Sequence, residues 1–424
     1  MNRLKLWVSE LVLVCVLLSA VWPVVANSSG VNRSQSAYLV VAAEDNWKWS
    51  PAIAYASTHN EYLVVWETIL AGGHHAIYGR RVSASGQMYN EFLVYSGANN
   101  SLQPAVAYDL THDRYLVVWA YDSTGDGTDG DIYGRFIPWY GPIDGEAAFG
   151  IDVGRTNADK PKLAYSPTSD EYLVVWRELP DVNQQYSIAG GLIYNDKTGY
   201  PVAISSGPEA RDFPDVTYNL VRNEFVVVWD EDLGRDTMDL DIRAIRLDFT
   251  GAPMPPGEFA VTTSTSNEQH PTVAACYKAD EYLFVWQQQI NQSTNENLYG
   301  RMMTGSGVLG QTYGVAGTTL PQRFPRLSCN PSGSEFFLVW HDQYAQPLFR
   351  WGVWAEVIHT NFYVEPCFEV VRPSDDRDRL YPAVSYGNNS ALVVWQHARD
   401  NTNYLDIWGQ VVWPHTIFLP LVLK

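Results

Sequence analysis

The sequence predicts an all-β fold: a seven-bladed β-propeller of four-stranded antiparallel blades, closed by an N-terminal strand that completes the last blade. Three observations predict it. A unit recurs seven times, marked by Trp66, Trp119, Trp176, Trp229, Trp286, Trp340 and Trp395. A Pro precedes the Trp by 15 residues in six copies (Pro51, Pro104, Pro161, Pro214, Pro271, Pro325) and by 13 in the seventh (Pro382). Finally, the segment before the first Pro matches the end of a unit, and the last unit lacks that end. Fixed periodicity of this length marks stacked supersecondary units.

The second copy shows the four strands, here named A to D. Pro104 to Tyr108 is a short apolar run and Tyr115-Leu-Val-Val-Trp119 a stronger one, separated by the turn residues Asp109 to Asp113. A Gly/Asp loop then leads to Asp131-Ile-Tyr-Gly-Arg-Phe136, and a Gly141-Pro142 turn to Ala147–Val153. Strand B is apolar at consecutive positions, as a sheet covered on both faces requires. Sheets stacked face to face around an axis satisfy this. Separate sandwich domains fit worse, because each needs about 100 residues. Burying each repeat Trp contributes on the order of 4–6 kcal/mol as an upper bound. The strand-C glycines (Gly79, Gly134, Gly190, Gly300, Gly409) let a neighbour approach closely.

Closure is written in the termini. Ala37-Tyr-Leu-Val-Val-Ala42, then Pro51, repeats the pattern Glu91-Phe-Leu-Val-Tyr95, then Pro104. An orphan strand D at the front should therefore complete the seventh blade and remove the exposed edges that invite aggregation.

Both repeated words resemble those of exported bacterial β-propeller repeat proteins, over about residues 37–413. The resemblance implies the fold and a binding or surface role, and no particular activity. The end, His415 to Lys424, is similar to short Leu-Pro-Leu-Val tails of exported bacterial proteins; a sorting tag and an extra strand beside blade seven are both open.

Residues 1–26 read as a signal peptide: Arg3 and Lys5, an apolar stretch from Leu11 to Val21, and Val24-Val25-Ala26 as the cleavage site. The expected domains are then 37–413 for the propeller and 414–424 for the tail. The mature protein is expected to be secreted or on the cell surface, monomeric, and without a membrane span. A formal charge of −19 argues against nucleic acid and anionic membranes as partners. Cys276, Cys329 and Cys367 remain, enough for one disulfide at most, with no metal-site spacing. Cys329 takes the slot of Tyr55, Tyr108, Tyr165 and Tyr218 and reads as a small core residue.

Chemistry is expected at the channel mouth, on the B–C loops and D–A connections. Two B–C loops are acid-rich: Asp122, Asp126, Asp129 and Asp131 in one, and Asp230, Asp232 and Asp236 among the acids of the other. Ca²⁺ takes oxygen ligands on flexible loops of this kind, so it is the one cofactor they suggest; a solvated acidic hairpin is the alternative. Glu61, Glu171, Glu224, Glu281 and Glu335 share one repeat position and read as scaffold. Aromatics that depart from the repeat are the ligand-binding candidates: Trp47, Trp49 and Tyr344. The function these residues point to is non-catalytic recognition of a protein or glycan. A polysaccharide hydrolase or lyase using loop carboxylates is one alternative, and a purely structural surface protein another.

Overall fold

The computed structural model describes residues 33–417 apart from 36, 44–45, 128, 143–145, 155–156, 180–184, 206, 235–238, 290–294, 318–319, 332, 334, 346–349, 374–376 and 399–403. The expected signal peptide and most of the tail lie outside these residues.

Seven antiparallel sheets follow one another along the chain, each in the order A-B-C-D. In blade one these are Lys48–Ala56, Glu61–Ile69, His75–Ser83 and Met88–Tyr95. The A strands of the next six blades are Asn100–Asp109, Asn157–Ser166, Ala210–Asn219, Asn267–Cys276, Gln322–Cys329 and Arg379–Tyr386. Successive A strands contact one another, so they line the central channel.

The ring closes. Leu39–Ala42 pairs antiparallel with strand C of blade seven, Leu405–Ile417, through Leu39↔Gly409, Val40↔Trp408 and Ala42↔Ile407. The far end of that strand continues past the expected boundary of the propeller and pairs with Arg33–Gln35. Among the described residues no helix is long and apolar enough to cross a membrane.

Strand B carries the core. From Glu61 through Thr68 every residue is buried, as is expected of a strand covered by sheets on both sides. Six of the seven repeat Trp side chains are at most 1% exposed, and Trp176 is 5% exposed. The Arg of the strand-C word has a specific task. Arg80, Arg135 and Arg301 each donate from Nη1 to a main-chain carbonyl in or directly after the preceding strand D, at Val41, Val94 and Val261. Gly79 explains its own place: a Cβ there would stand 3.2 Å from the Phe92 ring of strand D.

One expectation fails. Cys329 is not a free core residue; it is bridged to Cys276, with Cα atoms 5.4 Å apart, which links the A strands of blades five and six. Cys367 stays free, and burial, followed by the nearby Glu356 carboxyl, pushes its thiol up to about 12.

Candidate functional site at the channel mouth

Each A strand is interrupted at one place. The ladder to strand B slips between Trp49 and Ala52, and at the equivalent point in the other six blades. The repeat Pro sits in this bulge, where the lack of an N–H costs no ladder bond. The residue before it has a left-handed backbone in all seven blades: Ser50, Gln103, Lys160, Phe213, His270, Phe324 and Tyr381, with φ between 49° and 53°. That conformation is costly for bulky side chains, about 1–3 kcal/mol each. A bulge re-aims a side chain, and here all seven turn toward one cavity.

The strain is held by a latch between blades. The N–H of Gln103 donates to Oε2 of Glu67 at 3.0 Å, that of His270 to Oδ2 of Asp230 at 3.0 Å, and that of Phe324 to Oε1 of Gln287 at 3.2 Å. The N–H of Tyr381 donates to Nδ1 of His341 at 3.2 Å. All four acceptors directly follow the repeat Trp of the preceding blade. Where that residue is Ala120, Gln103 supplies the acceptor for Lys160 instead, at 2.8 Å. Where it is Arg177, the Phe213 N–H turns to Asp212, whose carboxylate Arg177 grips at 2.9 Å.

The cavity holds ≈ 490 Å³, within the range of small-ligand sites. One side is a continuous aromatic arc over blades four to seven. Ring centroids are 3.9 Å apart for Phe213–His270, 4.3 Å for His270–Phe324 and 4.7 Å for Phe324–Tyr381. The other side is polar: Ser50, Gln103, Gln396 and Lys160. Lys160 lies 3.6 Å from the Phe213 centroid, with Nζ 2.6 Å from Asp212. His270 is neutral at ordinary pH. Burial, then the charges of Arg326, Lys160 and Arg323, lower its pKa to about 3.

One residue beyond the Pro, the wall holds Lys162, Asp215 and Arg326 in blades three, four and six, with Thr272 of blade five bonded to Asp215. Both oxygens of Asp215 are taken: Oδ2 by Thr272 Oγ1 at 2.7 Å and the Val273 N–H at 3.1 Å, Oδ1 by the Val216 N–H at 3.0 Å.

Of the sequence candidates, Trp49 lines the cavity and stacks on His75 at 5.3 Å, while Trp47 stacks on Trp49 at 5.3 Å. Tyr344 is apart from the cavity, against Trp354 at 6.2 Å. The bulge residues were missed as a set, although the sequence held a signal: Pro and Trp are constant across the repeats while the residue before Pro changes type.

The acidic loops separate in space. Ligand atoms of Asp122, Asp126 and Asp129 lie within 4.8 Å of one another, so this group could hold a metal ion. Its oxygens already serve the loop: Asp122 accepts the N–H groups of Gly125 and Gly127 at 2.8 and 3.0 Å, and Asp129 accepts Ser123 Oγ at 2.6 Å. Asp131 instead accepts the Gly154 N–H at 2.7 Å. Asp230 is the latch to His270, Asp232 accepts the Gly234 N–H at 2.8 Å, and Asp236 lies outside the described residues. Asp109, His112 and Asp170 form a second group of potential ligands, into which Arg114 also reaches, 3.2 Å from Asp109. Two of the repeated glutamates pair with arginines in the scaffold: Glu61 with Arg81 at 2.8 Å and Glu224 with Arg246 at 2.7 Å.

No family model and no curated protein matches the chain. Solved structures do match. A fungal alcohol oxidase in complex with copper aligns with TM-score 0.55 at 8% identity, over 90% of this chain and 76% of its own. A protein of unknown function from Dyadobacter fermentans gives 0.53 at 11%, over 91% and 100%. An α-L-arabinanase of Penicillium chrysogenum complexed with arabinobiose gives 0.50 at 11%, again over 91% and 100%. These likenesses establish the propeller fold, and a fold shared by such different proteins selects no activity.

Proposed function

We propose that this chain is an exported binding propeller that takes a short saccharide in the channel mouth. The observation that supports this best is the ring of seven strained residues before the repeat prolines. Their backbone is constant, their side chains differ, and all face one cavity. Aromatic faces opposite hydrogen-bonding groups suit the apolar face and hydroxyl edges of a sugar. Export is supported by the basic and apolar start of the chain and by the Cys276–Cys329 bridge, since disulfides persist in oxidising compartments.

A polysaccharide hydrolase or lyase is the rival, and an arabinanase shares the fold. Glycoside hydrolysis canonically uses two carboxyl groups flanking the bond. The two in the cavity wall are both engaged: Asp215 as described, and Glu67 by His75 at 2.6 Å and the Gln103 N–H. This favours binding over turnover.

Calorimetry with an oligosaccharide panel, together with product analysis on the same sugars, tests the reading. Binding without turnover that Phe324→Ala and Tyr381→Ala abolish, with the fold intact, supports it; cleavage of any panel member replaces it with the rival. Calcium at Asp122, Asp126 and Asp129 is a separate reading, supported by their mutual distance. A melting temperature unchanged by chelation removes it.

A further inference from the structure

Resting on the saccharide reading, we propose that the ligand is acidic, with its anionic group seated between Lys162 and Arg326. The two cations stand below the aromatic arc, in A strands on opposite sides of the channel. Among the described residues neither forms an ion pair, and Lys162 makes no hydrogen bond; Arg326 donates only to the carbonyl of Pro325, at 2.8 Å. Asp215 acts on both through its charge, and its oxygens bond to Thr272 and two main-chain N–H groups rather than to either cation.

Other charged groups at this mouth have direct hydrogen-bond partners. Lys160 has Asp212, Arg177 has Asp159 and Asp212, and Glu67 has His75. Lys162 and Arg326 are therefore two cations without a direct ion-pair partner, inside a chain whose overall charge is −19. Burial, then repulsion from Arg326, lower the Lys162 pKa to about 8, with the Asp215 charge pulling the other way. Two cations that no carboxylate bonds directly, inside a walled cleft, attract an anionic group. The rings of Phe324 and Tyr381 supply a stacking face at the entrance, so one ligand with a sugar face and a carboxylate or sulfate satisfies both layers.

The test is calorimetry of the full-length protein with oligosaccharides carrying uronate, sialate or sulfate groups, beside neutral counterparts of the same length, and with benzoate and inorganic sulfate alone. We expect at least one acidic saccharide to bind about tenfold or more tighter than its neutral counterpart, an advantage of about 1.4 kcal/mol. Lys162→Met and Arg326→Met should each remove that preference, and high salt should weaken it in the wild type, which needs no variant to fold. Phe324→Ala should weaken neutral and acidic sugars alike. Neutral sugars binding as tightly as acidic ones would overturn the charge inference and leave the saccharide reading intact. Benzoate or sulfate binding in place of every saccharide would overturn the sugar component, and no saccharide binding at all would overturn both.

Discussion

The main-chain N–H of His270 donates to Oδ2 of Asp230 at 3.0 Å, tying the strained bulge of blade five to strand B of blade four. Asp230 is 2% exposed, and burial, with the charge of Asp212 beside it, holds its carboxyl pKa well above the usual carboxylate range. A neutral acceptor is what this position needs. Asp230→Asn should therefore keep wild-type stability at neutral pH, whereas Asp230→Ala should lose about 1–3 kcal/mol by stranding the donor. Urea denaturation of both variants checks this; equal stabilities would contradict the latch.

A second buried carboxyl gives a pH dependence. Glu268 is fully buried, and burial, followed by the charges of Asp241 and Asp239, raises its pKa to about 8 from 4.5. The folded state then holds a proton that the unfolded chain releases. Stability from this group is present below about 4.5 and lost as pH rises toward 8, at no more than about 1.4 kcal/mol per pH unit. Glu268→Gln should gain on the wild type as pH rises through that window. Melting curves at several pH values would show the gap widening, and a constant gap would refute it.

Ring closure can be tested on two adjacent residues. Val41 is fully buried in a cluster with Trp66, Leu392 and Val394, while Val40 is 38% exposed on the other face of the same strand. Val41→Asp should cost at least about 3 kcal/mol, and Val40→Asp little. Equal losses, or none, in thermal denaturation would place this strand elsewhere.

The Cys276–Cys329 bridge closes a loop of one repeat, with a separation of 53 residues. Replacing both by Ser should cost about 2–4 kcal/mol. Reductant should lower the wild-type melting temperature and leave that of the variant unchanged. A wild type indifferent to reductant would show that the bridge does not form.

The propeller was legible because repetition reports on packing: the Trp buried in every blade, and the orphan strand that finds strand C of blade seven, both leave a pattern along the chain. The bridge was not. Cys276 and Cys329 sit one position apart in the repeat register, and only the stagger of neighbouring inner strands brings them together. The mouth was half legible. Trp49 stood out as an aromatic breaking the repeat, but no repeat word includes Phe213, Phe324 or Tyr381. What turns them inward is a left-handed backbone before proline, which residue preference argues against and which the inter-blade latches impose.

A crystal structure of the protein with its tightest-binding oligosaccharide tests the binding site most directly. We expect a sugar ring packed on Phe324 and Tyr381, with polar contacts to Gln103 and Lys160. A saccharide ordered on the outer strands or at the opposite end of the channel, with the mouth empty, would contradict it.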